Sequence, residues 1–186
     1  MDAAMTRLRR AEGFSLADVV VATAIGAVMT AVSVPVASRM VESTQMATTT
    51  RVVERELQTA RLKAVSKNRP MRVRFNCPAP GQVRIIEVTG VTATDSASNR
   101  CDESVFPYPG PADSNPATPA HDGPITRLPL LATVSGPDLQ FSTRGTAMTL
   151  SGGTAKAIAG STSLTLTRKT DTATVTINGL GRITIK

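Results

Sequence analysis

Residues 14–37, FSLADVVVATAIGAVMTAVSVPVA, hold one charged side chain, Asp18. Coiled as a helix at about 1.5 Å per residue, the stretch is roughly 36 Å long, enough to cross a hydrocarbon core of about 30 Å. Arg7, Arg9 and Arg10 precede it, and the positive-inside tendency keeps them on the cytoplasmic side. The rest of the chain, from about residue 40, is then expected across the membrane. A secretory signal peptide needs a shorter apolar run, of about 7 to 15 residues, before a small-residue cleavage site. Ser33 to Ser38 imitates such a site, but the run before it is too long.

A carboxylate in hydrocarbon costs a few kcal/mol unless something pairs with it. Two roles therefore stay open for Asp18. It can lie near the headgroups and cap the helix start together with Ser15, or it can meet a positive group inside an assembly. Pro35 ends the membrane segment or kinks the helix there.

The helical pattern continues beyond Pro35. Met46, Val53, Leu57, Ala60 and Ala64 recur on one face, and Arg51, Glu54, Arg55, Glu56, Arg61, Lys63 and Lys67 fill the others. Asn68-Arg69-Pro70 stops the pattern, because the residue before Pro is pushed out of the helical region. One helix over about 15–67 is expected, with a stripe on its second half for a sheet to cover. Residues 71–75 and 82–88 alternate and read as strands, and further strands are read at 127–134, 138–141, 148–150, 163–168, 172–177 and 182–185. Asn178-Gly179 marks a hairpin between the last two. Residues 89–124 carry six prolines and read as a long loop, the kind of segment that often holds function.

Composition limits the chemistry. Of 186 residues, 41% are hydrophobic and 19% charged, which suits a folded domain behind an anchor. The formal charge is +7. Residues 1–13 supply only about +1 of it, three Arg against Asp2 and Glu12, so the domain itself is basic and nucleic acid, anionic lipid and acidic proteins are all candidate partners. Cys77 and Cys101 would pair if they lie outside the cytoplasm, a bond that would pin the long loop to the strand edge at Cys77 and contribute about 3 kcal/mol. His121 is the only histidine. Its spacing from the two cysteines is wide, with no convincing fourth ligand, so no metal is expected. No phosphate-binding Gly-rich loop follows a strand, and no nucleophile, base and orienting group stand together. Neither an enzyme nor a cofactor is expected.

Residues 13–18, GFSLAD, resemble the processing motif of type IV pilins and pseudopilins. The resemblance implies that a prepilin peptidase cuts between Gly13 and Phe14 on the cytoplasmic side, removing leader 1–13 and methylating the new amine of Phe14. It also implies that the uncleaved helix packs in a filament core. The family usually carries Glu where this chain has Asp18, a carboxylate thought to contact the N-terminal amine of a neighbour. ELQTARLKAVSKNRPMRV at 56–73, FSTRG at 141–145 and GRITI at 181–185 resemble the GspH/FimT branch. That implies an α+β, pilin-like fold: a leader (1–13), a membrane and filament-core half-helix (14–38), an amphipathic half-helix (39–68), and an antiparallel β domain (69–186) in the periplasm. The implied protein is a minor pilin at or near the tip of a type IV pilus, or a minor pseudopilin of type II secretion. It spans the inner membrane once, and its partners are other pilin subunits, the prepilin peptidase and the assembly platform. Some FimT-like pilins bind DNA through a C-terminal Gly-Arg-x-Arg. Here Thr184 stands in the second arginine position, leaving Arg182 and Lys186, with Arg168 and Lys169, as candidate DNA contacts.

Overall fold

A computed structural model describes residues 15–108 and 120–185. Its longest element is α1 (Leu16–Ser66). The chain divides into two compact units, at residues 1–42 and 43–186.

The first unit is the N-terminal part of α1. Every large apolar residue from Leu16 to Val41 is more than half exposed in the isolated chain. By length and composition this helix can cross a membrane. The hydroxyls inside it are turned back onto its own backbone. Thr23 Oγ1 donates to Val19 O at 2.9 Å, Ser33 Oγ to Met29 O at 2.8 Å, and Thr30 Oγ1 to Gly26 O. No hydroxyl donor among these three is left to face hydrocarbon unpaired.

In the second unit, Met46, Val53, Leu57, Ala60 and Ala64 of α1 are buried against two antiparallel sheets. The first sheet is ordered β3-β2-β1-β5-β6-β7 and the second β10-β9-β8-β4. Their strands are β1 (Met71–Phe75), β2 (Gln82–Glu87), β3 (Ile125–Arg127), β4 (Thr133–Ser135), β5 (Leu139–Phe141), β6 (Ala147–Ser151), β7 (Thr154–Ala157), β8 (Ser161–Arg168), β9 (Asp171–Asn178) and β10 (Ile183–Ile185). Alternation decides which side chains enter the core. Met71, Val73, Val83, Ile85, Leu139 and Phe141 do so from the first sheet, and Leu164, Leu166, Val175 and Ile177 from the second. On the opposite face of the second sheet the register pairs Ser163 with Thr176, Thr165 with Thr174 and Thr167 with Thr172, which accounts for much of the threonine in this half.

Two readings of the sequence are corrected. The expected strand 127–134 is two strands in different sheets, β3 and β4, joined by a 3-10 turn at Pro129–Leu131. Pro129 has no N–H for a ladder and Leu131 has a positive φ of 54°, so a continuous strand cannot pass through. Strand β7 was not expected. It pairs with β6 across the two-residue turn Gly152-Gly153, and its sequence, TAKA, has little β-propensity of its own.

The long loop is more structured than its composition indicates. It contains α2 (Thr92–Asp95) and a 3-10 turn at Ser98–Cys101. These form a cap over the face of β1 and β2 that points away from α1.

Candidate functional site

Two places carry residues singled out by sequence, and a third emerges from the structure. At the start of α1, the Ser15 amide donates to Asp18 Oδ2 at 3.2 Å and the Ala17 amide to Ser15 Oγ at 3.3 Å. This is a capping box with Asp as its acid, so the carboxylate satisfies a helix N-terminal amide and sits at the positive end of the dipole. Gly13 and Phe14 lie outside the described residues.

At one end of the β domain, three segments separated in sequence meet. Arg61 of α1 donates from Nε to Gly145 O at 3.1 Å and from Nη2 to Leu180 O at 3.3 Å. Gly145 closes the β5–β6 turn and Gly181 the β9–β10 turn, both with φ of +77°. A Cβ built on Gly181 would stand 2.4 Å from Gly145 O, so glycine is needed there for contact as well as for conformation. The helix end, the FSTRG turn and the closing GR step are thus one packed knot. It puts the turns bearing Arg144 and Arg182 side by side, and both side chains are exposed. Arg168 and Lys169 do not join them. They lie at the β8–β9 turn, where Arg168 pairs with Asp171, whereas Arg182 follows Asn178 at the far end of β9. Seven residue steps at about 3.3 Å put roughly 23 Å between those ends. Lys186 lies outside the described residues.

The third place is the capped face, which sequence reasoning did not identify. Alternation puts Arg72, Arg74 and Arg84 on the side of the sheet away from α1, and the cap meets them with backbone carbonyls. Arg72 Nη1 donates to Asp95 O at 2.7 Å, and Arg74 Nη1 to Ala97 O at 2.8 Å. Arg84 reaches Gly123 O at 2.9 Å, Arg100 O at 3.0 Å and Phe106 O. Arg84 and Arg100 are fully buried. Arg100 forms a two-pronged pair with Asp122, Nε to Oδ2 at 2.8 Å, and its Nη1 stands 3.5 Å from Asp95 Oδ1. Asp95 in turn accepts from the Thr89 amide and hydroxyl, both at 2.8 Å, and from the Gly90 amide at 3.0 Å. Burial lowers Arg72 and Arg84 below the ordinary arginine range. It raises the carboxyl of Asp122 against the opposing pull of Arg100. Burial likewise raises Asp138, against the Phe75 amide and Arg74. A disulfide joins Cys77, beside the β1–β2 turn, to Cys101 at the end of the cap. Both sulfurs are thereby removed from metal chemistry. Among the described residues no three His, Cys, Asp or Glu side chains gather in a way that could hold a metal ion.

The family described as type II transport protein GspH matches residues 49–181, more than half of the chain. Two solved structures of the type IV minor pilin FimU of Pseudomonas aeruginosa are similar to it. Their TM-scores are 0.44 and 0.46 at 16% and 17% identity, over 74% and 78% of this chain and 90% of each of theirs. No curated protein matches the chain.

Proposed function

The chain belongs to the GspH family, and from that premise we propose that it is a minor pilin, a subunit that helps to start a type IV pilus and stays at or near its tip. The observation that carries the reading is the division of labour along α1. Its second part is buried under the sheets, while from Leu16 to Val41 it presents an apolar surface that the subunit itself leaves uncovered. In this reading the inner membrane covers that surface first. Helices of other pilin subunits cover it after extraction by the assembly platform, and the β domain remains periplasmic until then. The prepilin peptidase frees the amine of Phe14 by cutting after Gly13, and Asp18 meets the amine of a neighbour.

The family's description as a type II transport protein supports a second reading, a minor pseudopilin of type II secretion. The adjacent turns of Arg144 and Arg182 support a third, contact with DNA phosphates. Only one of the two motif arginines is present for that role, and Arg168 and Lys169 stand at the other end of the sheet.

Deleting the gene in its own organism separates the first two. Loss of sheared surface pili with normal protein secretion supports the pilus. Loss of secretion with normal pili contradicts it and supports the pseudopilus. For DNA, the full chain in detergent is titrated with duplex at two salt concentrations. Binding that is unchanged by Arg182→Ala removes the third reading.

A further inference from the structure

The β8–β9 turn, with Arg168 and Lys169, lies at the end of the β domain where the chain enters it. An open groove of about 590 Å³ fixes this placement. Its walls include Ser43, Met46 and Arg51 of α1, Asp171 at the start of β9 and Ile185 of β10. Ser43 comes two residues after Val41, the last of the exposed apolar run. On another side of α1, Thr49 Oγ1 donates to Pro129 O at 3.4 Å, so the Pro129–Leu131 turn stands at the same level of the helix. This end of the domain carries two kinds of group. Leu131 is 63% exposed and Ile185 42%. Arg51 and Lys169 are exposed and Arg168 is half-buried. Among the described residues Asp171 is the one carboxylate in the groove lining, and Glu54 stands about one helical turn farther from the entry. Side chains on a helix lean toward its N-terminus, so Arg51 is directed back toward Ser43.

We propose that this end of the β domain is a foot that rests on anionic phospholipid headgroups. Arg51, Arg168 and Lys169 meet the phosphates, and Leu131 and Ile185 enter the headgroup layer. The proposal rests on the reading of Leu16 to Val41 as a membrane anchor and adds a lipid contact made by the domain itself. Exposed apolar side chains among cations are the composition of segments that lie on a lipid surface. The polar layer on each side of the hydrocarbon is about 5 to 8 Å deep, and the entry segment Ser43–Met46 is about 5 Å long. Charge selects the lipid: three cations against one carboxylate leave this end positive. DNA offers phosphates too, but nothing in a duplex backbone takes up Leu131 and Ile185.

The test places the full chain in nanodiscs of phosphatidylcholine, with and without phosphatidylglycerol, that contain a lipid with a quencher on its headgroup. A fluorophore is attached through Thr170→Cys in the turn or, as a control, through Ser66→Cys at the last residue of α1. The expected result is stronger quenching at position 170 with phosphatidylglycerol than without it, lost at high salt, and no effect of phosphatidylglycerol at position 66. A cation near an anionic surface is worth roughly fivefold in the contact equilibrium. Arg51→Gln and Lys169→Asn, both at exposed positions, are each expected to weaken the phosphatidylglycerol-dependent contact by that factor. Equal quenching at position 170 in the two kinds of disc, or a difference that both variants leave unchanged, overturns the proposal. Duplex DNA added to phosphatidylcholine discs tests the other source of phosphate. A saturable change at position 170 that Lys169→Asn abolishes, with no effect of phosphatidylglycerol, assigns the turn to nucleic acid and overturns the proposal. A chain that does not enter the discs contradicts the anchor reading and the foot together, whereas one that enters them without responding to phosphatidylglycerol contradicts the foot alone.

Discussion

Single residues explain why three stretches far apart in the sequence act together. Gly181 has both a left-handed backbone and no room for a Cβ, because Gly145 O would lie 2.4 Å from it. Gly160 has a similar φ of +89° and nothing within 4 Å. Gly160→Ala is therefore expected to cost only the conformational strain, about 1 kcal/mol. Gly181→Ala should cost clearly more, because the turn must move off Gly145 and disturb the Arg61 hydrogen bonds. Thermal unfolding of the two variants in detergent checks the order, and equal melting temperatures would contradict it. Arg100→Met is expected to be worse than either, about 3 to 5 kcal/mol, since it strands Asp122 in the interior. At Asp18 the capping box gives the carboxylate a partner within its own chain. In the filament reading Asp18→Ala is nonetheless expected to leave membrane insertion intact and to reduce incorporation beside neighbours, measured by the share of subunit in sheared filaments against that in membranes. Unchanged incorporation would confine Asp18 to its capping role.

At the scale of elements, periodicity in the sequence marks helix and strand because it records which face is apolar. The stripe from Met46 to Ala64 and the alternation of MRVRF correspond to α1 and β1. What covers the other face is not written in periodicity. Arg72, Arg74 and Arg84 look like a solvated side of a sheet, and the segment that buries them is rich in Pro, Ala, Ser and Asp and has no repeat to read. Its order comes from arginines bonding to carbonyls and from Asp95 and Asp122, pairings that form only in three dimensions. The split between β3 and β4 was hidden for a related reason. Each piece has strand-like residues, and the break depends on the backbone at Pro129 and Leu131. The candidate basic residues show the same limit, for sequence order grouped Arg168 with Lys169 but gave no sign that the turn bearing Arg182 packs against the turn bearing Arg144.

The cap also gives two element-scale predictions. The disulfide closes a loop with a sequence separation of 24, so replacing both cysteines by Ser should cost about 3 kcal/mol and speed amide exchange between Asp95 and Cys101. Protection unchanged by the double substitution would mean that the arginine contacts alone hold the cap. The pH dependence follows from the raised carboxyls of Asp122 and Asp138. A carboxyl raised in the fold binds its proton more tightly there than in the unfolded chain. Its contribution to stability is present in acid and is lost as pH rises through the folded value. Lowering the pH toward the raised values should therefore not release the cap on their account. Exchange rates of its amides, corrected for the intrinsic effect of pH, should stay level or fall between pH 7 and 5, and a rise would contradict this.

For the whole molecule, the account rests on a helix whose halves face different surroundings. The apolar surface from Leu16 to Val41 and the buried stripe from Met46 to Ala64 belong to one continuous α1. An anchor alone would explain the first, and a core helix alone the second. A filament subunit uses both, one half packing among neighbours while the other carries the β domain. In the proposed reading, the step that commits the chain to this course is removal of the leader at the Gly13–Phe14 junction, which would free the amine of Phe14. The most direct test is the intact mass of the chain purified from the membranes of its own organism. The account predicts a chain that begins at Phe14, carries one N-methyl group and lacks residues 1–13. A chain that begins at Met1, or one cut near Ala37 with the apolar helix gone, would contradict it.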